Sequence, residues 1–151
     1  MDRRICPTCH IPTDAGFFDE STISTAPGLG PGEQQQVVLA EYRLHRNYTG
    51  VLLYFAQFAT SQREAVVETP GYRWEIRCSG QPLDPYLSMD HIVNPWGLNG
   101  FPLALRIPEG SVLQFVVSAV GDSDPPLVKV GGRILGRYWY NTDYGGAPNR
   151  L

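Results

Sequence analysis

The chain has 151 residues, of which 42% are hydrophobic and 11% aromatic, and its formal net charge is −3. This composition is typical of one folded domain with a hydrophobic core and excludes a disordered chain. The small negative charge offers no basic surface for nucleic acid or an anionic membrane, and no apolar run approaches the roughly 18 residues of a membrane-spanning helix.

The first 34 residues differ from the rest and are predicted to form an extended N-terminal arm. Residues 27–32 form a glycine- and proline-rich joint, which neither a helix nor an inner strand can contain. The large apolar side chains of the arm are Phe17 and Phe18. Because such arms often dock on a neighbouring subunit, we predict that both phenylalanines contact another protein. Residues 1–6 lack the apolar segment of a signal peptide, so a cytoplasmic site of synthesis without export is expected.

A Cys6-x-x-Cys9-His10 motif in this arm has three interpretations. Two thioethers and an axial histidine attach a c-type haem, but that chemistry needs export, and no export signal is present. Two thiolates at this spacing can also bind tetrahedral zinc, completed by ligands from His10, His45, His91 or Cys78. Two reduced cysteines at a proline turn are the third interpretation. No cofactor is therefore predicted, with zinc kept as the alternative.

Strand patterns begin at Gln36, and residues 35–140 are predicted to form the folded domain. Residues 51–58 are so rich in β-branched and aromatic side chains that we expect a strand covered on both faces. The clearest strand is Tyr72–Ser79, because polar residues alternate there with Tyr72, Trp74, Ile76 and Cys78. Gly80 predicts a turn directly after it.

The second half of the chain predicts three more strands, at residues 101–107, 111–120 and 127–140. One face of the first carries Leu103, Leu105 and Ile107, and one face of the second carries Leu113, Phe115, Val117 and Ala119. The pair Gly131-Gly132 predicts a bulge or bend in the third. Short strands joined by turns, without an amphipathic helix, predict an antiparallel, jelly-roll-like β-sandwich followed by a polar tail at residues 141–151.

The long irregular segment at residues 81–100 and the aromatic residues supply the binding candidates. A loop of this length is typical of a functional or contact segment, and it contains Tyr86 and Trp96. Trp96 and Tyr144 stacking on sugar rings would make the chain a carbohydrate-binding module. Trp139, which lies near arginines, is instead typical of a protein contact. No catalytic motif is present, so we predict a protein that is not an enzyme.

Several segments between residues 46 and 140 place turns and strands in a particular order: Arg46–Val51, Trp74–Ile76, Gly80–Leu83, Pro102-Leu103, Arg106–Val112 and Gly132–Tyr140. In strand order and turn placement, residues 36–140 resemble small β-sandwich structural proteins of tailed bacteriophages. The resemblance implies a virion component, such as a capsid decoration, neck, collar or tail accessory protein, made in the host cytoplasm.

The same resemblance implies how such a protein acts. It would assemble as a homo-oligomer and dock on other virion proteins, with no nucleic acid or membrane partner. The expected contact residues are Phe17, Phe18, Tyr86, Trp96 and Trp139.

Overall fold

The structure is a computed structural model that describes residues 11–61, 72–82, 101–121 and 127–141. These residues contain no α-helix, and therefore none that is long and apolar enough to cross a membrane. They form eight strands: β1 (Gly16–Thr25), β2 (Gln36–Arg43), β3 (Tyr48–Ser61), β4 (Tyr72–Cys78), β5 (Gln81–Pro82), β6 (Phe101–Ile107), β7 (Val112–Ala119) and β8 (Leu127–Tyr140).

The eight strands form two antiparallel four-stranded sheets with the orders β1-β8-β3-β6 and β2-β7-β4-β5. The pairing is nested: β1 pairs with β8, β2 with β7, β3 with β6, and β4 with β5. Successive pairs alternate between the sheets, as in a jelly roll, where a long antiparallel double strand wraps around one core. The predicted all-β, jelly-roll-like sandwich is confirmed.

Phe115 on β7 lies at the centre of the core between the sheets. Its ring centroid is 6.0 Å from that of Trp74 and 5.9 Å from that of Phe55. The predicted inward face of β7 is buried as expected, and so are Tyr72, Trp74 and Ile76 on β4. Cys78, at the end of the same face, is only half-buried and has a free thiol.

β1 lies within the segment that was predicted to be an arm. It pairs with β8 over its whole length, from Gly16 opposite Tyr138 to Thr25 opposite Lys129. The joint that follows is bonded to the sandwich, because the Tyr72 hydroxyl donates to the Pro27 carbonyl oxygen. The predicted domain boundary at residue 35 is therefore wrong, and the sandwich includes residues 16–34. Residues 1–10 lie outside the described residues.

The glycine pair of β8 does not form the predicted bulge. Pairing runs without a shift through Gly131 and Gly132 on both sides of β8. The register shifts lie elsewhere, between Leu52 and Tyr54 on β3, between Val38 and Ala40 on β2, and between Thr60 and Ser61 where β3 meets the start of β8. A Cβ atom at Gly132 would lie 2.6 Å from the Phe115 ring, so glycine is needed there because the core packs directly on the strand.

Residues 11–15 cover part of the outer face of the first sheet. Ile11 and Ala15 pack with Val51 and Trp139 in a small apolar cluster separate from the main core. Val51 and its neighbour Leu52 are both buried, and they lie on opposite faces of β3. This confirms the predicted two-sided covering at the start of the segment 51–58, where further along Leu53, Tyr54 and Ala56 are half-buried.

Candidate functional site

The structure locates three of the predicted site residues and leaves five outside the described residues. Cys6, Cys9 and His10 precede the described ranges, and Tyr86 and Trp96 fall between them. Within the ranges that the structure describes, no group of three or more His, Cys, Asp or Glu side chains could hold a metal ion. The zinc interpretation therefore stays a prediction about residues 6–10.

Of the three contact residues that are described, Phe17 alone is exposed. Its side chain is 66% exposed, and the guanidinium of Arg137 lies 4.5 Å from the centre of its ring. Phe18 is 4% exposed because alternate residues of a strand face opposite ways, and its ring enters the core. The prediction that Phe18 contacts another protein is wrong.

Trp139 is also buried. It faces outward on β8, but Ile11 and Ala15 cover it and leave it 7% exposed. Arg137 anchors this covering segment, since its Nη2 atom donates to the carbonyl oxygens of Thr13 and Ala15 at 3.2 Å and 2.8 Å. Of the arginines near Trp139, Arg137 therefore binds the chain's own backbone and Arg133 binds the Asp19 carboxylate. Because Trp139 is buried, its predicted contact role is wrong.

The described residues contain a cleft of about 550 Å³ at one end of the sandwich, which we call the tyrosine cleft. It lies where the start of β1 meets the end of β2, beside the start of β3 and the end of β8. Its wall consists of four aromatic residues that are buried or half-buried: Phe18, Tyr42, Tyr48 and Tyr138. Its rim consists of exposed residues: Phe17, Asp19, Glu20, Arg43 and His45.

The aromatic wall is continuous across the two sheets. Tyr42 stacks on Phe18 with ring centroids 4.0 Å apart, and its ring lies 6.2 Å from that of Tyr138. Tyr138 in turn lies 5.9 Å from Tyr48. These rings pack against the main core on one side, so the wall is a fixed surface rather than a set of mobile side chains.

The polar atoms of the cleft have distinct environments. Burial, helped by the nearby Tyr138, Glu20 and Tyr48, raises the pKa of the Tyr42 phenol to about 12. This phenol is therefore a neutral donor throughout the physiological range. On the rim, Arg133 donates to Asp19 through Nε at 2.8 Å, and this hydrogen bond lowers the pKa of the Asp19 carboxyl. The side chains of Glu20, Arg43 and His45 form no hydrogen bond or ion pair with the described part of the chain.

The residues that the structure describes form an eight-stranded jelly-roll sandwich with an aromatic-lined cleft at one end. No protein-family model matches the chain, and a comparison with curated proteins finds no similar sequence.

Sequence reasoning named Phe17, Phe18 and His45 for other roles and missed the tyrosines of the cleft. Tyr42 and Tyr138 lie in segments with strand patterns, but nothing local to either residue shows that the two strands meet at one corner. The nested pairing of a jelly roll supplies that information, because it joins the start of β1 to the end of β8.

Proposed function

We propose that the protein is a non-enzymatic structural component of a bacteriophage virion: a capsid decoration, neck, collar or tail accessory protein. The observation that supports this best is the nested strand order, since eight-stranded jelly rolls are used by viral capsid proteins. The support is an analogy of fold, to which the resemblance of residues 36–140 to small phage sandwich proteins adds. The proposed mechanism is self-assembly into a homo-oligomer and docking on other virion proteins, without nucleic acid, membrane or cofactor.

The exposed start of β1 is the proposed self-assembly contact. β1 is an edge strand of its sheet, so one row of its backbone N–H and C=O groups has no strand partner within the described sheet. Phe17 adds a large exposed ring to this edge, next to Arg137. Aromatic residues and arginine are enriched where proteins meet. Tyr86 and Trp96 remain proposed contacts with other virion proteins.

Native mass spectrometry of the purified protein tests the self-assembly step. A closed ring or trimer is expected, and Phe17→Ala is expected to shift it toward monomer. Ile23→Ala is the matched control, because Ile23 lies on the same strand face and is 64% exposed. A monomer at every concentration, or equal dissociation by both variants, would contradict the proposed contact.

A second experiment tests the virion role itself. Particles assembled without this gene product are supplied with the purified protein or its Phe17→Ala variant, and bound protein is counted by quantitative mass spectrometry. Stoichiometric incorporation of the unaltered protein is expected, and its absence from particles would contradict the role.

Zinc is measured on the same protein and on Cys6→Ser, which decides whether residues 6–10 hold a metal.

A carbohydrate-binding module is the second candidate function, because lectin domains also use jelly rolls. Trp96 and Tyr144, the residues first predicted to stack on sugars, lie outside the described residues. The observation that favours this candidate is the tyrosine cleft.

A further inference from the structure

We propose that the tyrosine cleft is a binding site for a neutral saccharide, of the size of one or two pyranose rings. The proposal rests on the second candidate function, the carbohydrate-binding module, for which it names the site. It does not depend on the virion role, since it concerns the isolated domain and can hold or fail separately.

The size and place of the cleft fit a small ligand. Its volume of about 550 Å³ falls within the range of roughly 300–1,000 Å³ that is usual for small-molecule sites. Four different strands contribute to its lining, so its shape is fixed by the sandwich and not by a single loop. Such a preformed site spares a ligand the cost of ordering the protein.

The wall offers partners for both the apolar C–H groups and the hydroxyls of a sugar. Tyr42, Tyr48 and Tyr138 are half-buried and line the cleft, so part of each aromatic side chain is accessible to a pyranose. Their hydroxyls form no hydrogen bond with the described part of the chain. Each hydroxyl can both donate and accept, which matches the hydroxyls of a saccharide.

The rim argues for a neutral ligand. Glu20 adds an acceptor, while Arg43 and His45 add donors, and none of the three is held by another described side chain. Asp19 is already neutralised by Arg133. Because Glu20 and Arg43 carry opposite charges and Asp19 is paired with Arg133, these charges largely offset one another and do not favour an anion or a cation. Hydrogen bonding to hydroxyls is the recognition that this mixture of donors and acceptors provides.

Saturation-transfer difference NMR tests the proposal on the full chain. The probes are glucose, galactose, mannose, N-acetylglucosamine, maltose, lactose and cellobiose, each with the unaltered protein, and inorganic phosphate is titrated separately by chemical shift. At least one sugar is expected to give saturation transfer and a measurable Kd. Tyr48→Phe is expected to weaken that Kd by about three- to tenfold, the effect of losing one hydrogen bond. Glu20→Gln is expected to weaken it by a similar factor, because the neutral amide oxygen is a weaker acceptor than the carboxylate.

Matched variants separate the cleft from the rest of the surface. Tyr54→Phe removes a hydroxyl from a half-buried tyrosine of β3 that does not line the cleft, and Glu41→Gln neutralises an exposed carboxylate of β2 outside it. Both are expected to bind like the unaltered protein. The proposal is overturned if none of the probe sugars receives saturation from the protein. Equal weakening by Tyr48→Phe and Tyr54→Phe, or a preference of the cleft for phosphate, would also overturn it.

Discussion

Phe18 and Tyr42 stack face to face across the two sheets, with ring centroids 4.0 Å apart and planes inclined by 7°. Phe18 belongs to β1 of one sheet and Tyr42 to β2 of the other, so the stack joins the two edge strands at the wall of the tyrosine cleft. A pair of this kind contributes about 0.5–1.5 kcal/mol beyond the burial of its rings. The same contact therefore stabilises the sandwich and shapes its cleft.

Phe18→Ala is expected to lower the free energy of unfolding by about 3–5 kcal/mol, because it removes a buried ring and leaves a cavity. Phe17→Ala is the control, since it makes the same change one residue earlier on a side chain that is 66% exposed. Its cost is expected to stay below about 1 kcal/mol. Urea denaturation of both variants measures the difference in their free energies of unfolding. Similar losses for the two variants would contradict the burial of Phe18 and favour its predicted place in an exposed arm.

Gly136→Ala is expected to destabilise the protein by about 3 kcal/mol or more. A Cβ atom there would lie 2.1 Å from the carbonyl oxygen of Val51 and 2.4 Å from the Phe18 ring, and a backbone oxygen cannot move aside as a flexible side chain can. In Gly30→Ala the new Cβ would meet only the Glu33 carboxylate, at 3.2 Å. Thermal unfolding should separate the two variants, and a Gly136→Ala protein as stable as Gly30→Ala would contradict this packing.

Ionisation of the Tyr42 phenol is expected to lower the free energy of unfolding in strongly alkaline solution. Its pKa of about 12 in the folded protein exceeds the value near 10 of an unfolded tyrosine. The unfolded chain therefore releases this proton first, and the stabilisation present below pH 10 is lost as the pH rises toward 12. Tyr42→Phe should remove this part of the pH dependence, measured by urea denaturation at several pH values, and it should also remove one late-titrating phenol from the ultraviolet spectrum. An unchanged alkaline titration would contradict the assignment.

The ion pair of Asp19 with Arg133 is expected to matter little for stability, because its side chains are 45% and 47% exposed. Arg133→Gln should cost less than about 1 kcal/mol. It should also raise the pKa of the Asp19 carboxyl, which NMR titration measures directly. The pair stabilises the fold above the ordinary carboxyl pKa, and this contribution is lost as the pH falls through the lowered value. Arg73→Gln, at an exposed position on β4, should leave the Asp19 titration unchanged.

Deleting residues 1–15 is expected to expose Trp139, since it removes Ile11 and Ala15 from the cluster that covers the indole. Tryptophan emission should shift to longer wavelength, and the loss of Ile11 burial should cost about 2 kcal/mol or more. Deleting residues 1–10 leaves Ile11 and Ala15 in place and should change neither the emission wavelength nor the free energy of unfolding. The emission shift should also be absent when the longer deletion is made in a Trp139→Phe background.

The sequence was sufficient to predict the strands in which apolar and polar residues alternate strongly. The bounds of β6 and β8 were predicted as observed, and β4 and β7 differ from their predictions by one residue at one or both ends. β1 was missed because, beyond Phe18, its inward positions Glu20, Thr22 and Ser24 are polar, so no apolar face marks it as a strand. β5 was missed because it has two exposed residues, although the turn before it was expected at Gly80.

The candidate site was less predictable than the strands, for a reason of geometry. Aromatic residues can be counted in a sequence, but their accessibility depends on which segments cover them. Trp139 faces outward, as its arginine neighbours implied, yet residues 11–15 return across the sheet and bury it. Tyr42 and Tyr138 face inward, yet the sandwich opens beside them into the cleft. Long-range chain placement determined both outcomes.

Nested pairing also determines when the domain can fold during translation. β8 is the last described strand to leave the ribosome, but it lies inside its sheet, between β1 and β3. The bond between Arg137 and Ala15 joins residues 122 positions apart. A nascent chain without β8 therefore presents the open edges of β1 and β3 to its surroundings. Completion of the first sheet must wait for nearly the whole domain, so the unfinished polypeptide keeps unpaired strand edges until β8 is made.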